Sequence, residues 1–196
     1  MTARRASGSR AGTRVLALFA AVVVGLGGGF LITRVDLGDT IREVTLPLRH
    51  DDIIRQQAAE KELDPALIAA VIYAESRFRD QTSHAGARGL MQITPETANR
   101  IEELSGGTTF VTEDLADPDI NIRYGSFYLA HLLEEYEGNE VAALAAYNAG
   151  ETRVEEWGGG SIGLDEIRFD ETRGYVEEVL DKRDEYRDHY AADLGL

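Results

Sequence analysis

Three of the four prolines in this chain stand directly behind a side chain able to cap a helix: Asp64-Pro65, Thr94-Pro95 and Asp117-Pro118. Asp and Thr oxygens accept hydrogen bonds from the unpaired amides of a first helical turn, and proline fits the first helical position because no amide hydrogen is needed there. The same pairs disfavour strands, because proline cannot donate to a ladder. Each pair predicts a helix start, and together they commit the body of the chain to helices.

The sequence between these starts agrees. After Pro65, Leu67, Ile68, Val71, Ile72 and Glu75 recur at steps of three and four, the spacing of one helical face. After Pro118, Tyr124, Phe127, Tyr128, Leu132 and Tyr136 keep the same spacing; Gly138 can end that helix and Asn139 can cap the next. Residues 141–147, VAALAAY, carry no charge on any side, as expected of a helix surrounded by others, and Asn148 to Gly150 can stop it in a turn. A last helix is predicted from Asp170, with Tyr175, Val176, Val179, Leu180, Tyr186 and Tyr190 forming a broken apolar stripe. Gly158 to Gly160 reads as a mobile loop. With no sustained alternation, and only a short extended piece expected near residues 108–111, the body is predicted to be all-α.

The beginning of the chain has a different character. Residues 1–14 hold Arg4, Arg5, Arg10 and Arg14 and no acid, while residues 15–33 are a 19-residue uncharged run, VLALFAAVVVGLGGGFLIT. About 20 such residues cross a hydrocarbon core as a helix, so a single transmembrane anchor is predicted, with the arginines cytoplasmic and the rest extracytoplasmic. A cleaved signal peptide is the alternative. A buried core helix is disfavoured by the consecutive glycines Gly27 to Gly29. Residues 34–50 show neither period nor cap and read as a stalk, residues 51–190 as the folded domain and residues 191–196 as a tail.

Beyond residue 33 the chain carries 16 basic against 35 acidic residues, which argues against a nucleic-acid partner, since that needs clustered Lys and Arg. With no cysteine there is neither a disulfide nor a thiol for lipid attachment. His50, His84, His131 and His189 are scattered without metal-ligand spacing, no P-loop is present, and Ser83 and His84 are sequence neighbours rather than a nucleophile and base. No metal or other cofactor is expected.

Four segments point to chemistry. Glu75 continues a buried stripe close to a helix C-terminus, where desolvation and the helix dipole both raise a carboxyl pKa towards neutrality, as suits a general acid. The plain alternative is a surface Glu paired with Arg77 or Arg79. Residues 83–94, SHAGARGLMQIT, combine turn-forming Gly86 and Gly89 with the amide of Gln92, which otherwise reads as a surface group beside a turn. Residues 145–150, AAYNAG, bring out Tyr147 and Asn148 as a buried helix ends; a capping turn with a core tyrosine is the rival reading. Residues 169–176, FDETRGYV, offer Glu171 and Arg173 as a pair bracing a cleft, or simply a helix start.

Taken in order, ES, GLMQ, AAYNAG and ETRxYV resemble the soluble lytic transglycosylase (SLT) family, relatives of goose-type lysozymes, over about residues 51–183. The resemblance implies a lysozyme-like helical domain with Glu75 as catalytic acid and base. It also implies that Ser83, Gln92, Tyr147 and Asn148 line a sugar cleft, with Tyr147 close to the catalytic carboxyl, and that Glu171 supports them. Thr94 stands where some members have methionine, and residues 84–87 make a shorter connection than in some members. The implied substrate is the peptidoglycan glycan strand, cut without water at the β-1,4 bond of N-acetylmuramic acid to N-acetylglucosamine by an enzyme acting as a monomer. A lysozyme-like hydrolase and a non-catalytic glycan-binding scaffold are the alternatives.

Overall fold

The computed structural model describes residues 43–106 and 112–196. The apolar run 15–33 and the extended piece expected near 108–111 lie outside them. Among the described residues no helix is long and apolar enough to cross a membrane. Seven α-helices account for most of these residues: α1 (Asp51–Lys61), α2 (Pro65–Ser76), α3 (Pro95–Ser105), α4 (Pro118–Glu135), α5 (Glu140–Ala149), α6 (Glu151–Trp157) and α7 (Asp170–Leu194). Short 3-10 turns occupy Thr112–Ala116, Gly159–Ser161 and Leu164–Glu166. The described β-structure consists of isolated bridges, Thr82 to Arg88 and Arg88 to Ile93, so the fold is all-α.

All three proline pairs start helices. Asp64 accepts from the Ala66 amide at 3.0 Å, Thr94 from Thr97 at 3.0 Å, and Asp117 from Asp119 at 2.9 Å. Asn139 caps α5 by accepting from Val141 at 3.0 Å, and its own amide donates to the carbonyls of Gly160 and Ile162, both at 2.9 Å. That second function corrects the expectation of a mobile loop at Gly158 to Gly160. The segment is a 3-10 turn tied to α5, with Gly159 buried.

The centre holds two helices rather than one. In α2 every residue from Ala66 to Tyr73 is buried, so the expected stripe extends round the whole helix; α7 packs along it and α1 covers another side. In α5 the run from Ala142 to Ala146 is fully buried among α4, α6 and α7, its small side chains admitting close neighbours.

Packing also begins before Asp51 and reaches beyond residue 190. Leu46 is buried, and three phenols reach back to the carbonyls of this lead-in: Tyr73 to Thr45 at 3.1 Å, Tyr186 to Pro47 at 2.6 Å and Tyr190 to Leu46 at 2.8 Å. The described part of the expected stalk, residues 43–50, is thus tied to α2 and α7 through these bonds. At the other end Leu194 is buried, and the Arg55 guanidinium donates to the Asp193 carbonyl.

One side chain fixes the loop between α2 and α3. Asn121, fully buried in α4, donates to the carbonyls of Arg88 (2.9 Å) and Leu115 (3.0 Å) and accepts from the Met91 amide (2.8 Å). The loop lies so close that a Cβ on Gly89 would come within 2.2 Å of Asn121 Nδ2, and one on Gly125 within 2.3 Å of Met91 Sδ. We expect Asn121→Ala to strand three buried backbone groups and to lower unfolding free energy by about 3 kcal/mol in urea titrations; a loss under about 1 kcal/mol would show that water replaces the amide.

Candidate active site

Glu75 lies in the last turn of α2, which ends at Ser76 because Arg77 takes a left-handed conformation (φ 55°) and its amide bonds back to Tyr73. The carboxyl has almost no basic relief. Arg77 donates instead to Glu178 at 2.7 Å, with its guanidinium 4.1 Å from the centre of the Tyr73 ring, and Arg79 is exposed. Burial consequently pushes the Glu75 pKa up to about 7, while the nearby Tyr175 hydroxyl pulls it part of the way down. Among the described residues no other acid or base contributes to the shift.

Two phenols flank this carboxyl. The Tyr147 hydroxyl donates to the Met91 carbonyl at 3.0 Å, so the loop docked by Asn121 holds it, and its ring leans on Tyr128 at 5.7 Å. The Tyr175 hydroxyl is buried beside Glu75 yet makes no hydrogen bond of ordinary geometry. Burial and the adjacent Glu75 charge raise both phenol pKa values well above 10, so both remain proton donors at neutral pH.

In the sequence Tyr175 is one residue of the apolar stripe of the last helix. Its clue was position: Thr172 and Tyr175 share a face of α7 at a step of three, and Thr172 Oγ1 donates to Asn148 Oδ1 at 2.8 Å. That face turns towards the end of α5. Glu171 sits on another side and is exposed. Of the two readings of this segment the Glu171–Arg173 pair does not form, because residues two apart on a helix do not face each other. Arg173 pairs with Asp170 at 3.0 Å and donates to the carbonyls of Leu164 and Ile167.

The loop residues divide in the same manner. Gln92, held at a positive φ of 47°, donates from its amide to the carbonyls of Gly89 (2.8 Å) and Gln81 (3.1 Å), which leaves its side-chain carbonyl as an acceptor. Gln81 in turn donates to the Glu75 main-chain carbonyl at 3.3 Å, joining the loop to the end of α2. Nothing in the sequence spacing marked Gln81. Ser83 uses its hydroxyl oxygen within its own turn, accepting from the Ala87 amide at 3.1 Å. The structure therefore gathers Glu75, Tyr147 and Tyr175, links Gln92 to them through Gln81, and leaves Ser83 and Glu171 outside these contacts.

A groove of about 1000 Å³ extends from Tyr147 and Asn148, lined by Thr94, Thr97 and Arg100 from the start of α3 and by Glu151 and Arg153 from α6. Its walls carry hydroxyls, amides and an aromatic ring, the groups suited to a polar polymer. Among the described residues no cluster of three or more His, Asp or Glu side chains could hold a metal ion. The chemistry these groups can supply is proton transfer: one carboxyl poised near neutrality between two phenols, one of which, Tyr147, also lines the groove.

Comparison with known proteins adds to this geometry. The family model described as the transglycosylase SLT domain matches residues 52–168. The soluble lytic murein transglycosylase of Escherichia coli (strain K12) is 35% identical over 147 residues, 70% of this chain and 23% of that protein. The membrane-bound lytic murein transglycosylase C of Glaesserella parasuis serovar 5 is 31% identical over 137 residues, 60% of this chain and 38% of that protein. Among solved structures, an inactive glutamate-to-glutamine mutant of the lytic transglycosylase Slt from Pseudomonas aeruginosa superposes with a TM-score of 0.71 at 35% identity, covering 77% of this chain and 26% of that one. The chain thus spans about a quarter of the length of the soluble relatives it matches.

The raised pKa has a consequence for stability. Between the ordinary value of 4.5 and about 7, the folded protein holds a proton that the unfolded chain releases, so this contribution is complete below pH 4.5 and is lost as pH rises through 7. The span corresponds to about 3 kcal/mol. Glu75→Gln has no such loss, and we expect its urea stability relative to the parent to grow by up to that amount between pH 4 and pH 8; a constant difference would mean the carboxyl is not desolvated.

Proposed function

The chain belongs to the transglycosylase SLT family, and on that premise we propose that it is a peptidoglycan lytic transglycosylase in which Glu75 acts first as acid and then as base. The observation that carries this reading is the isolation of Glu75: burial pushes its pKa up to about 7, and among the described residues no second carboxylate contributes to that shift. Hydrolysis by paired carboxylates places the partner roughly 5 to 9.5 Å away. Cleavage by a single carboxyl needs a nucleophile from elsewhere, and the substrate can supply its own.

In this mechanism protonated Glu75 donates to the oxygen of the β-1,4 bond between N-acetylmuramic acid and N-acetylglucosamine, and the bond from that oxygen to C1 breaks. Positive charge develops at C1, where the acetamido oxygen of the same sugar can stabilise it. Glu75, now a carboxylate, takes the proton from the muramoyl C6 hydroxyl as its oxygen closes on C1, giving a 1,6-anhydro end. The tethered hydroxyl gains the effective concentration of an intramolecular group. Tyr175, its hydroxyl uncommitted, can donate to the Glu75 carboxylate in the charged half of the cycle. Ser83, Gln92, Tyr147 and Asn148 line the cleft against the sugar, and Glu171 supports them.

The anchor is part of the same proposal. Residues 15–33 hold the domain at the outer face of the cytoplasmic membrane, a reading supported by the length of the apolar run, the arginines before it and a relative named as membrane-bound. Such an arrangement presents the groove to the wall.

Digestion of peptidoglycan should give anhydromuramic ends by mass spectrometry, whereas reducing muramic ends would assign the chain to hydrolases. Glu75→Gln should lower the rate about 10² to 10⁴-fold. The first step needs the protonated acid, so activity should fall as pH rises past about 7. Since the Tyr175 hydroxyl lowers the Glu75 pKa, Tyr175→Phe should move that falling limb to higher pH; movement to lower pH would contradict the arrangement.

A further inference from the structure

One acid in the groove is held by a group that the mechanism does not use. Glu151, the first residue of α6, lines the groove beside Asn148 and Gly150, and its side chain is 31% exposed. Its Oε1, however, is buried and faces the buried Nε2 of His131 on α4 at 3.6 Å, and neither atom has a hydrogen-bond partner. The imidazole lies against Tyr128 with ring centres 6.4 Å apart and planes 26° apart, and Tyr128 leans on Tyr147. The other charges of this wall are arranged differently. Arg100 is 3.8 Å from Glu103 and Arg153 is 2.9 Å from Glu156, each partner one turn along the same helix, so neither arginine neutralises Glu151.

We propose that His131 and Glu151 form a positioned acceptor for the glycan. The His131 N–H holds one carboxylate oxygen, a small side-chain rotation closing the 3.6 Å gap to an ordinary bond, and the exposed part of the carboxylate accepts from a sugar hydroxyl or amide N–H. A carboxylate with no arginine on it, set in a groove whose arginines lie on other acids, calls for hydrogen-bond donors, which the hydroxyls and amide N–H groups of an N-acetylated saccharide supply. Glu151 then contacts substrate, and His131 is a positioning residue acting through it. This inference rests on the glycan-cleaving reading and adds a specific recognition point to it.

The test uses the full chain in detergent with Glu75→Gln as the non-cleaving parent. Binding of a soluble tetrasaccharide of alternating N-acetylglucosamine and N-acetylmuramic acid is measured by calorimetry. His131→Phe keeps the ring stack on Tyr128 but removes the N–H; His131→Gln restores a donor. We expect His131→Phe and Glu151→Ala each to weaken binding about tenfold, and His131→Gln to stay within about twofold of the parent. Binding by His131→Phe equal to the parent, or by His131→Gln as weak as His131→Phe at matched melting temperature, would overturn the inference and leave the glycan reading standing. Should His131→Phe fail to fold, Glu151→Ala decides, because it alters a partly exposed side chain; parent-like binding by it overturns the proposal. Failure of the Glu75→Gln parent itself to bind the tetrasaccharide would overturn the functional reading and this proposal with it.

Discussion

Withdrawal of one carboxyl from water organises this molecule. Glu75 lies at the end of a helix in which eight consecutive residues, Ala66 to Tyr73, are buried, and the arginine two positions on is taken by Glu178 and the Tyr73 ring. Solvation and ion pairing are two of the means by which a carboxylate is ordinarily kept charged at neutral pH. Both are curtailed here, and the pKa of about 7 follows. The helix α7 packs along α2 and brings Tyr175 beside the half-buried Glu75.

The remaining architecture serves to keep that environment in place. Asn121 fastens the loop after α2 to α4, the loop presents the Met91 carbonyl to Tyr147, and Gln81 returns from the loop to the Glu75 main chain. The chain of bonds runs from the buried Asn121 in one helix to the reactive end of another, its last link through the exposed Gln81. Gly89 and Gly125 belong to it as much as the polar groups do, because a Cβ at either would push the loop off α4.

Local signals were legible in the sequence and distant ones were not. The Asx-Pro and Thr-Pro pairs and Asn139 act within three residues of themselves, so their capping functions follow from the sequence alone. Glu75, Tyr147 and Gln92 stood out through the family resemblance and through helical spacing. Tyr175 did not, because an aromatic on an apolar stripe looks like core until another helix places a carboxyl beside it. Residues 43–50 looked featureless because the phenols that hold them come from Tyr73, Tyr186 and Tyr190, more than a hundred positions away in two cases. The Glu171–Arg173 pairing failed on helix geometry, which leaves residues two apart on different sides.

The desolvated state of Glu75 is open to direct observation. Carbon-13 labelling of the glutamate side chains, with Glu75→Gln to identify the resonance, allows that carboxyl to be titrated by NMR in the folded protein. A desolvated Glu75 titrates with a midpoint near 7, well above an ordinary glutamate. A midpoint near 4.5 would show a hydrated carboxylate and remove the proton donor on which the proposed chemistry rests.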